Sequence, residues 1–322
     1  MDTASKLTKL SVVGSGAVGT AVAYASIIRG SVQRVALYDI NKAKVEAEVK
    51  DLAHGTQFTE VNEVVGGDDP AVVADSDVVV VTAGAKQDPG QSRLDLAAKN
   101  VKILESMLPA LLEHAPDAIY VLVTNPVDVL TYHAQRISGL PAGRVMGSGT
   151  MLDTSRLRLM LAQRAKVSQN NVHATMMGEH GDTEFPVWSS ATIGAVPLRE
   201  WELDGKPVFT DAVLDELHHG VTNAAYEVIE GKGATNYAIG LAGARLVEAI
   251  VNDENIILPL SSVLDDYRGT SDVALSVPSL VGREGITKVF EIPMSVAERK
   301  LFRHSAETLR RALDDLEGGV AT

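Results

Sequence analysis

In the first half of the chain, short β-branched runs alternate with longer stretches of helical periodicity. Leu10–Val13, Val35–Tyr38, Val78–Thr82 and Ile119–Thr124 are apolar and stop at Gly, Asp or Asn. That is the pattern of strands buried on both faces of a parallel sheet. Between them, Ala17–Arg29, Asn41–His54, Arg93–His114 and Val127–Ile137 place their apolar residues at helical spacing. The alternation predicts an α/β fold built on a doubly wound, Rossmann-type parallel sheet. Ligands of such sheets bind beyond the carboxyl ends of the strands. Asp39, Thr82 and Asn125, which end these runs, therefore stand where chemistry is expected.

The second half changes character. Helical patterns over Leu152–Lys166, Asp211–Glu230 and Tyr237–Val251 mix with alternating runs over Asn255–Val263 and Asp272–Val281, and Val296–Leu316 closes the chain as a helix. This predicts a second, α+β domain. With 322 residues, two domains are the expectation, residues 1–149 and 150–322, with the boundary near Gly149. No internal repeat, low-complexity stretch or long linker interrupts them.

Composition narrows the function. Hydrophobic residues at 45% support a full globular core. A net charge of −13 has the wrong sign for a nucleic-acid partner. It also means that an anionic substrate must be held by particular arginines. The absence of cysteine excludes disulfides, thiolate metal sites and cysteine nucleophiles, and no metal site is expected. Leu10–Ile28 is uncharged and follows Lys6 and Lys9, which offers a signal-peptide reading. Gly14, Gly16 and Gly19 would break its apolar helix. The expectation is a cytoplasmic chain without a membrane partner.

Those glycines form Gly14-Ser-Gly16-Ala-Val-Gly19 between a predicted strand and a predicted helix. Gly14 suits the tight turn, Gly16 a close approach to pyrophosphate and Gly19 close helix–strand packing. A glycine turn without a ligand is the alternative. Asp39, twenty residues after Gly19, can accept both adenosine ribose hydroxyls and would repel a 2′-phosphate, which favours NAD over NADP.

Candidate chemistry elsewhere is less distinctive. His180 lies in Gly178-Glu-His-Gly181-Asp182, and is one of eight histidines. Asp153 and Arg156 share a helix face at i, i+3, and an ordinary surface ion pair reads equally well. Arg158 lies about 200° round the helix from Arg156, so the two point in different directions. The polar stretch from Ala85 to Arg93 follows a strand, as either a lid or an ordinary solvated loop.

Taken together, these residues resemble the L-lactate and malate dehydrogenase family over nearly the whole chain. The matching segments are GSGAVG at 14–19, TAGAKQDPGQSRLDL at 82–96, TNPVDVLTY at 124–132, GSGTMLDTSRLR at 147–158, GEHGDTEFPVWS at 178–189 and KGATNYAIG at 232–240. The resemblance implies hydride transfer between NADH and a small 2-oxo acid. It makes His180 the general acid/base and Asp153 its partner. Arg156 becomes the bidentate clamp for the substrate carboxylate, and Arg93 the lid residue that polarises the carbonyl, on a lid over residues 85–96. Asn125 becomes a partner of the substrate oxygen, and Thr235 part of the pocket wall. The implied cofactor contacts are Gly14, Gly16, Val18, Gly19, Asp39, Lys44, Thr82, Ala83, Gly84, Val123, Asn125 and Ser148.

Gln87 stands where malate enzymes usually carry Arg. A neutral side chain leaves a second substrate carboxylate buried and unpaired, which is costly, so pyruvate and L-lactate are the expected substrates. Nearby Lys86 is cationic, and malate or another 2-hydroxy acid is the alternative. Arg158 and His173 match the family's site for fructose 1,6-bisphosphate, or are two unrelated surface cations. The family is usually tetrameric, which makes a homo-oligomer the expected assembly, with Leu152–Lys166 and the helix from Asp211 as interface candidates. The implied setting is glycolysis and fermentation.

Overall fold

The computed structural model describes residues 7–86 and 92–319. The first half runs β1 (Lys9–Val13), α1 (Ala17–Arg29), β2 (Arg34–Tyr38), α2 (Lys42–His54), β3 (Glu63–Gly67), β4 (Val78–Val81), α3 (Arg93–His114), β5 (Ile119–Leu122), α4 (Val127–Ser138) and β6 (Val145–Gly147). The second half begins with α5 (Met151–Ala165). Four short pairings follow, from β7 (Val172–His173), β8 (Met176–Met177), β9 (Phe185–Pro186), β10 (Thr192–Ile193), β11 (Val196–Pro197), β12 (Glu202–Leu203) and β13 (Lys206–Pro207). The chain then continues through α6 (Asp211–Lys232), α7 (Tyr237–Val251), β14 (Ile256–Val263), β15 (Ala274–Gly282), β16 (Gly285–Val289) and α8 (Val296–Gly319).

One nine-stranded sheet carries the molecule, in the order β16-β15-β14-β6-β5-β4-β1-β2-β3. From β3 to β6 the pairs are parallel, with the strand order of a doubly wound sheet and its switch point between β1 and β4. Strands β1, β4 and β5 are buried along their whole length, because helices cover both faces. One apolar cluster lies under α1 and α7, another under α3, α4 and α8, and a third joins α5 to α6.

The predicted strands and helices of the first half are present, with ends shifted by a residue or two. Two of its strands carry too little pattern to be seen in the sequence. β3 is a half-exposed edge strand ending in two glycines, and β6 has three residues. The alternating runs of the second half do form strands, but they do not build a separate sheet. β14 pairs antiparallel with β6 at Ser261–Gly147 and continues the first sheet. This join puts the second half beside the carboxyl ends of β5 and β6.

The turn after β1 is set by steric contact. Gly14 has φ +98°, in the left-handed region, and a Cβ there would meet Ala83 N at 2.7 Å. At Gly19 a Cβ would meet the Gly14 carbonyl oxygen at 1.9 Å and Thr82 Oγ1 at 2.6 Å, whereas at Gly16 it would meet nothing within 4 Å. Gly19→Ala is therefore expected to cost about 1–3 kcal/mol through overpacking, and Gly16→Ala, whose Cβ meets open space, less than that. Thermal unfolding of the two variants checks this, and equal melting temperatures would contradict it.

Candidate active site

The loop from Gly14 to Gly16 opens α1 with backbone N–H groups that have no helical acceptor. The Thr82 hydroxyl, at the end of β4, donates to the carbonyls of Val13 and Gly14 at 3.1 and 3.0 Å and pins the loop to the switch point. Open space over Gly16 and a helix N-terminus pointing into it fit a pyrophosphate. Val18 is half-buried one turn along.

Asp39 closes β2 beside this loop. Its Oδ2 accepts from the Ser15 amide at 2.7 Å and the Ser15 hydroxyl at 2.9 Å, and its Oδ1 accepts from the Asn41 amide at 2.9 Å. Burial alone would raise its pKa, but these donors and the Lys44 charge outweigh that and hold the carboxyl below its ordinary value. The result is a fixed anion with acceptor capacity left over, which suits a ribose diol. Lys44 itself is exposed on α2.

Thr82, Ala83 and Gly84 leave β4 against the segment that leaves β5. A Cβ at Gly84 would meet Thr124 Cγ2 at 2.3 Å, and the Thr124 hydroxyl donates to the Ala83 carbonyl at 2.9 Å. Buried Asn100 on α3 ties the two segments together. Its Oδ1 accepts from the Ala85 amide at 2.7 Å, and its Nδ2 donates to the Asn125 carbonyl at 2.8 Å. Val123 and Ser148 are buried at the ends of β5 and β6, while Asn125 is exposed. Gln87 lies outside the described residues. Arg93 opens α3, and its side chain also lies outside them.

A second group converges from the other half of the chain. Asp153 is 2% exposed and divides its carboxylate between two partners. Oδ1 accepts from Arg156 Nη1 at 2.7 Å, and Oδ2 faces His180 Nδ1 at 2.7 Å. The surface-pair reading of Asp153 and Arg156 is thereby corrected, because the acid lies inside. Burial would raise the Asp153 pKa, but His180 and Arg156 lower it below the ordinary value. For His180 burial opposes the charged form, and the Asp153 charge and hydrogen bond override it, pushing the imidazole up to about 9.

The loop carrying His180 is fastened by backbone bonds. The His180 amide donates to Asp128 Oδ2 at 2.6 Å, and Ser261 Oγ donates to Asp128 Oδ1 at 2.5 Å. Gly178 exchanges backbone bonds with Ser276 at 3.1 and 2.9 Å. Asp128 is fully enclosed, and burial raises its carboxyl to about 7 despite these donors. Glu184 is also enclosed, with Oε2 at 3.9 Å from His180 Nδ1.

Asp128, Glu184 and Asn100 were missed in the sequence reading. The first two lie inside the quoted segments TNPVDVLTY and GEHGDTEFPVWS. An acid within an otherwise apolar helix start was the available signal for Asp128. Asp153, His180 and Glu184 place ligand-type atoms within 4.8 Å of one another, but Asp153 and His180 are already committed to each other.

Arg158 leaves α5 on a different side from Arg156, and its Nε donates to the Ala174 carbonyl at 2.9 Å. His173, the residue before Ala174, is exposed on β7. Thr235 is half-buried between α6 and α7. Among the described residues no helix is long and apolar enough to cross a membrane.

Family comparison agrees with this geometry. Residues 8–147 match the NAD-binding domain of lactate/malate dehydrogenases, and residues 150–318 match their α/β C-terminal domain. An L-lactate dehydrogenase of Bifidobacterium animalis subsp. lactis is 51% identical, covering 95% of this chain and 96% of that protein. One from a Synechococcus strain is 45% identical over 96% of this chain and 99% of that protein. Among solved structures, a lactate dehydrogenase from a Medee basin deep-sea metagenome library superposes with a TM-score of 0.92 at 38% identity, covering 96% of this chain and 99% of that one. The minor L-lactate dehydrogenase of Enterococcus mundtii, in a ligand-bound form, gives 0.91 at 38% identity, covering 96% and 98%. A glycine turn at a sheet switch point, a carboxylate fixed beside it and a histidine held by a buried aspartate thus belong to a chain of the lactate/malate dehydrogenase family, whose first half is the NAD-binding domain.

Proposed function

We propose that the chain is an L-lactate dehydrogenase, interconverting pyruvate and L-lactate. The observation that carries this reading is the divided Asp153 carboxylate. It occupies His180 Nδ1, which leaves Nε2 to exchange a proton with substrate, and it holds the Arg156 guanidinium on the same side. We assign the cofactor to residues 1–149 and the substrate to residues 150–322, meeting near Gly149. When bound, the nicotinamide supplies or takes up the hydride. His180 gives its proton to the pyruvate oxygen and takes it back from lactate. Arg156 pairs with the substrate carboxylate. Arg93, on a lid over residues 85–96, polarises the carbonyl with Asn125 beside it, and Thr235 closes the pocket. Phosphates and ribose rest on Gly14, Gly16, Val18, Gly19, Asp39 and Lys44. Thr82, Ala83, Gly84, Val123, Asn125 and Ser148 line the path to the nicotinamide.

Gln87 decides the substrate, because no cation there would pair a second carboxylate. Purified enzyme assayed by NADH oxidation is expected to use pyruvate more efficiently than oxaloacetate, and Gln87→Arg to move the preference towards oxaloacetate. A wild-type preference for oxaloacetate would replace this reading with a malate dehydrogenase.

The elevated His180 pKa sets a pH dependence with a definite sign. Reduction needs the imidazolium, so kcat/KM for pyruvate should be level in neutral solution and fall as pH rises through about 9. Lactate oxidation needs the neutral ring and should rise through the same region. Pyruvate reduction that increases across it would remove His180 from the proton transfer.

The further reading is a cytoplasmic homotetramer in glycolysis and fermentation, activated by fructose 1,6-bisphosphate at Arg158 and His173. Arg158 donates to the carbonyl of Ala174, the residue that follows His173 in the chain. Pairs from two subunits across an axis would supply four basic groups for two phosphates, and a shift of α5 would reach Arg156. Saturation curves with pyruvate should show tighter apparent binding when the bisphosphate is present, and Arg158→Gln should lose that response. No response in the wild type rejects the effector, and an undiminished response in the variant moves the site elsewhere.

A further inference from the structure

Glu184 is a buried acid beside the His180–Asp153 pair that the proposed chemistry does not use. It immediately precedes Phe185, the first residue of β9, and only 4% of it is exposed. Its Oε2 is buried without a hydrogen-bond partner. That oxygen lies 3.9 Å from His180 Nδ1, and all three side chains keep ligand-type atoms within 4.8 Å of one another. The groups facing it are Asp153 and Arg156 on α5, His180 in the loop, and His218 on α6, whose Nε2 sits 3.1 Å from the Glu184 carbonyl oxygen.

Two carboxylates sharing one dry site cannot both ionise. Asp153 takes the charge, because Arg156 and His180 occupy its two oxygens at 2.7 Å each. Both cations spend their hydrogen bonds on Asp153, and none reaches Glu184 Oε2 to stabilise an anion there. Burial and the Asp153 charge accordingly hold the Glu184 carboxyl well above the usual carboxylate range.

We propose that Glu184 is a neutral positioning residue, an O–H donor directed at the Asp153 carboxylate that weakens Asp153's hold on the imidazolium and so sets the pH at which His180 exchanges its proton. A carboxylate that shares its charge with a second donor stabilises its histidine less. The elevated His180 value is thereby kept within reach of release to substrate. An ionised Glu184 would do the opposite, adding a second anion 3.9 Å from the ring and locking the proton on.

This rests on the assignment of His180 as acid/base, and the test separates the two. Glu184→Gln keeps the shape and an N–H donor but cannot ionise. Glu184→Met keeps the volume and donates nothing. The pH profile of kcat/KM for pyruvate is measured on both with NADH. The His180 ring is titrated in parallel by NMR of 15N-histidine-labelled protein, assigned with His180→Asn. The Gln variant is expected to keep the wild-type midpoint within about 0.3 pH unit. The Met variant should raise it by roughly 0.5–1 unit, as expected when a donor to the partner carboxylate is lost. A midpoint lowered by about one unit or more in the Gln variant shows that Glu184 was ionised, and overturns the proposal. A Met midpoint that is unchanged or lowered makes the residue a spectator, which also overturns it. Should the wild type not reduce pyruvate, the functional reading fails while the NMR titration still decides the role of Glu184.

Discussion

The site depends on one buried carboxylate. Asp153 has almost no contact with water, and an isolated anion there would take up a proton instead of staying charged. It stays ionised because its two oxygens meet two cationic side chains from different directions, Arg156 from its own helix and His180 from a loop. The pairing works in both senses. Asp153 fixes which imidazole nitrogen is engaged, and it holds the guanidinium beside the ring. When the ring gives up its proton, Arg156 still compensates the carboxylate. The change of charge therefore falls on the imidazole, with no second buried charge left uncompensated.

Holding His180 at that carboxylate requires the second half of the sheet. The loop from Gly178 to Gly181 lacks regular structure and is placed by bonds to four elements: Asp128 on α4, Ser261 on β14 acting through Asp128, Ser276 on β15 and Ser305 on α8. Because β14 extends the sheet from β6, these anchors share a rigid frame with the strands that carry Thr82 and Asn125. The glycine loop and His180 are thus registered to each other by one sheet, although they come from halves matching two different family domains.

The legible part of this arrangement is the part with period or motif. Short apolar runs gave away β1, β4 and β5, and helical spacing placed Asp153 and Arg156 on one face of α5. Edge strand β3 and three-residue β6 were invisible because a strand that is half exposed, or this short, leaves no pattern to read. The pairing of β14 with β6 was invisible for another reason, since strand order is a long-range property. The same limit applies to Asp128 and Glu184. Each is an ordinary acid in the sequence, and each gains its role from enclosure by segments more than fifty residues away or on another element. His180 stood out only through the family resemblance, because one histidine among eight carries no sign of the carboxylate it will meet.

In the proposed site, cofactor selectivity would rest on a similarly small set of contacts. The Ser15 amide and hydroxyl, which belong to the phosphate loop, hold Asp39 as an anion. The loop assigned to the pyrophosphate therefore also fixes the charge assigned to the ribose. A 2′-phosphate would have to approach a carboxylate that three donors keep ionised, and the nearby cation, Lys44, is exposed to solvent, where screening weakens its attraction. On that assignment Ser15 would take part in the discrimination through Asp39, because its two donors help keep that carboxyl ionised.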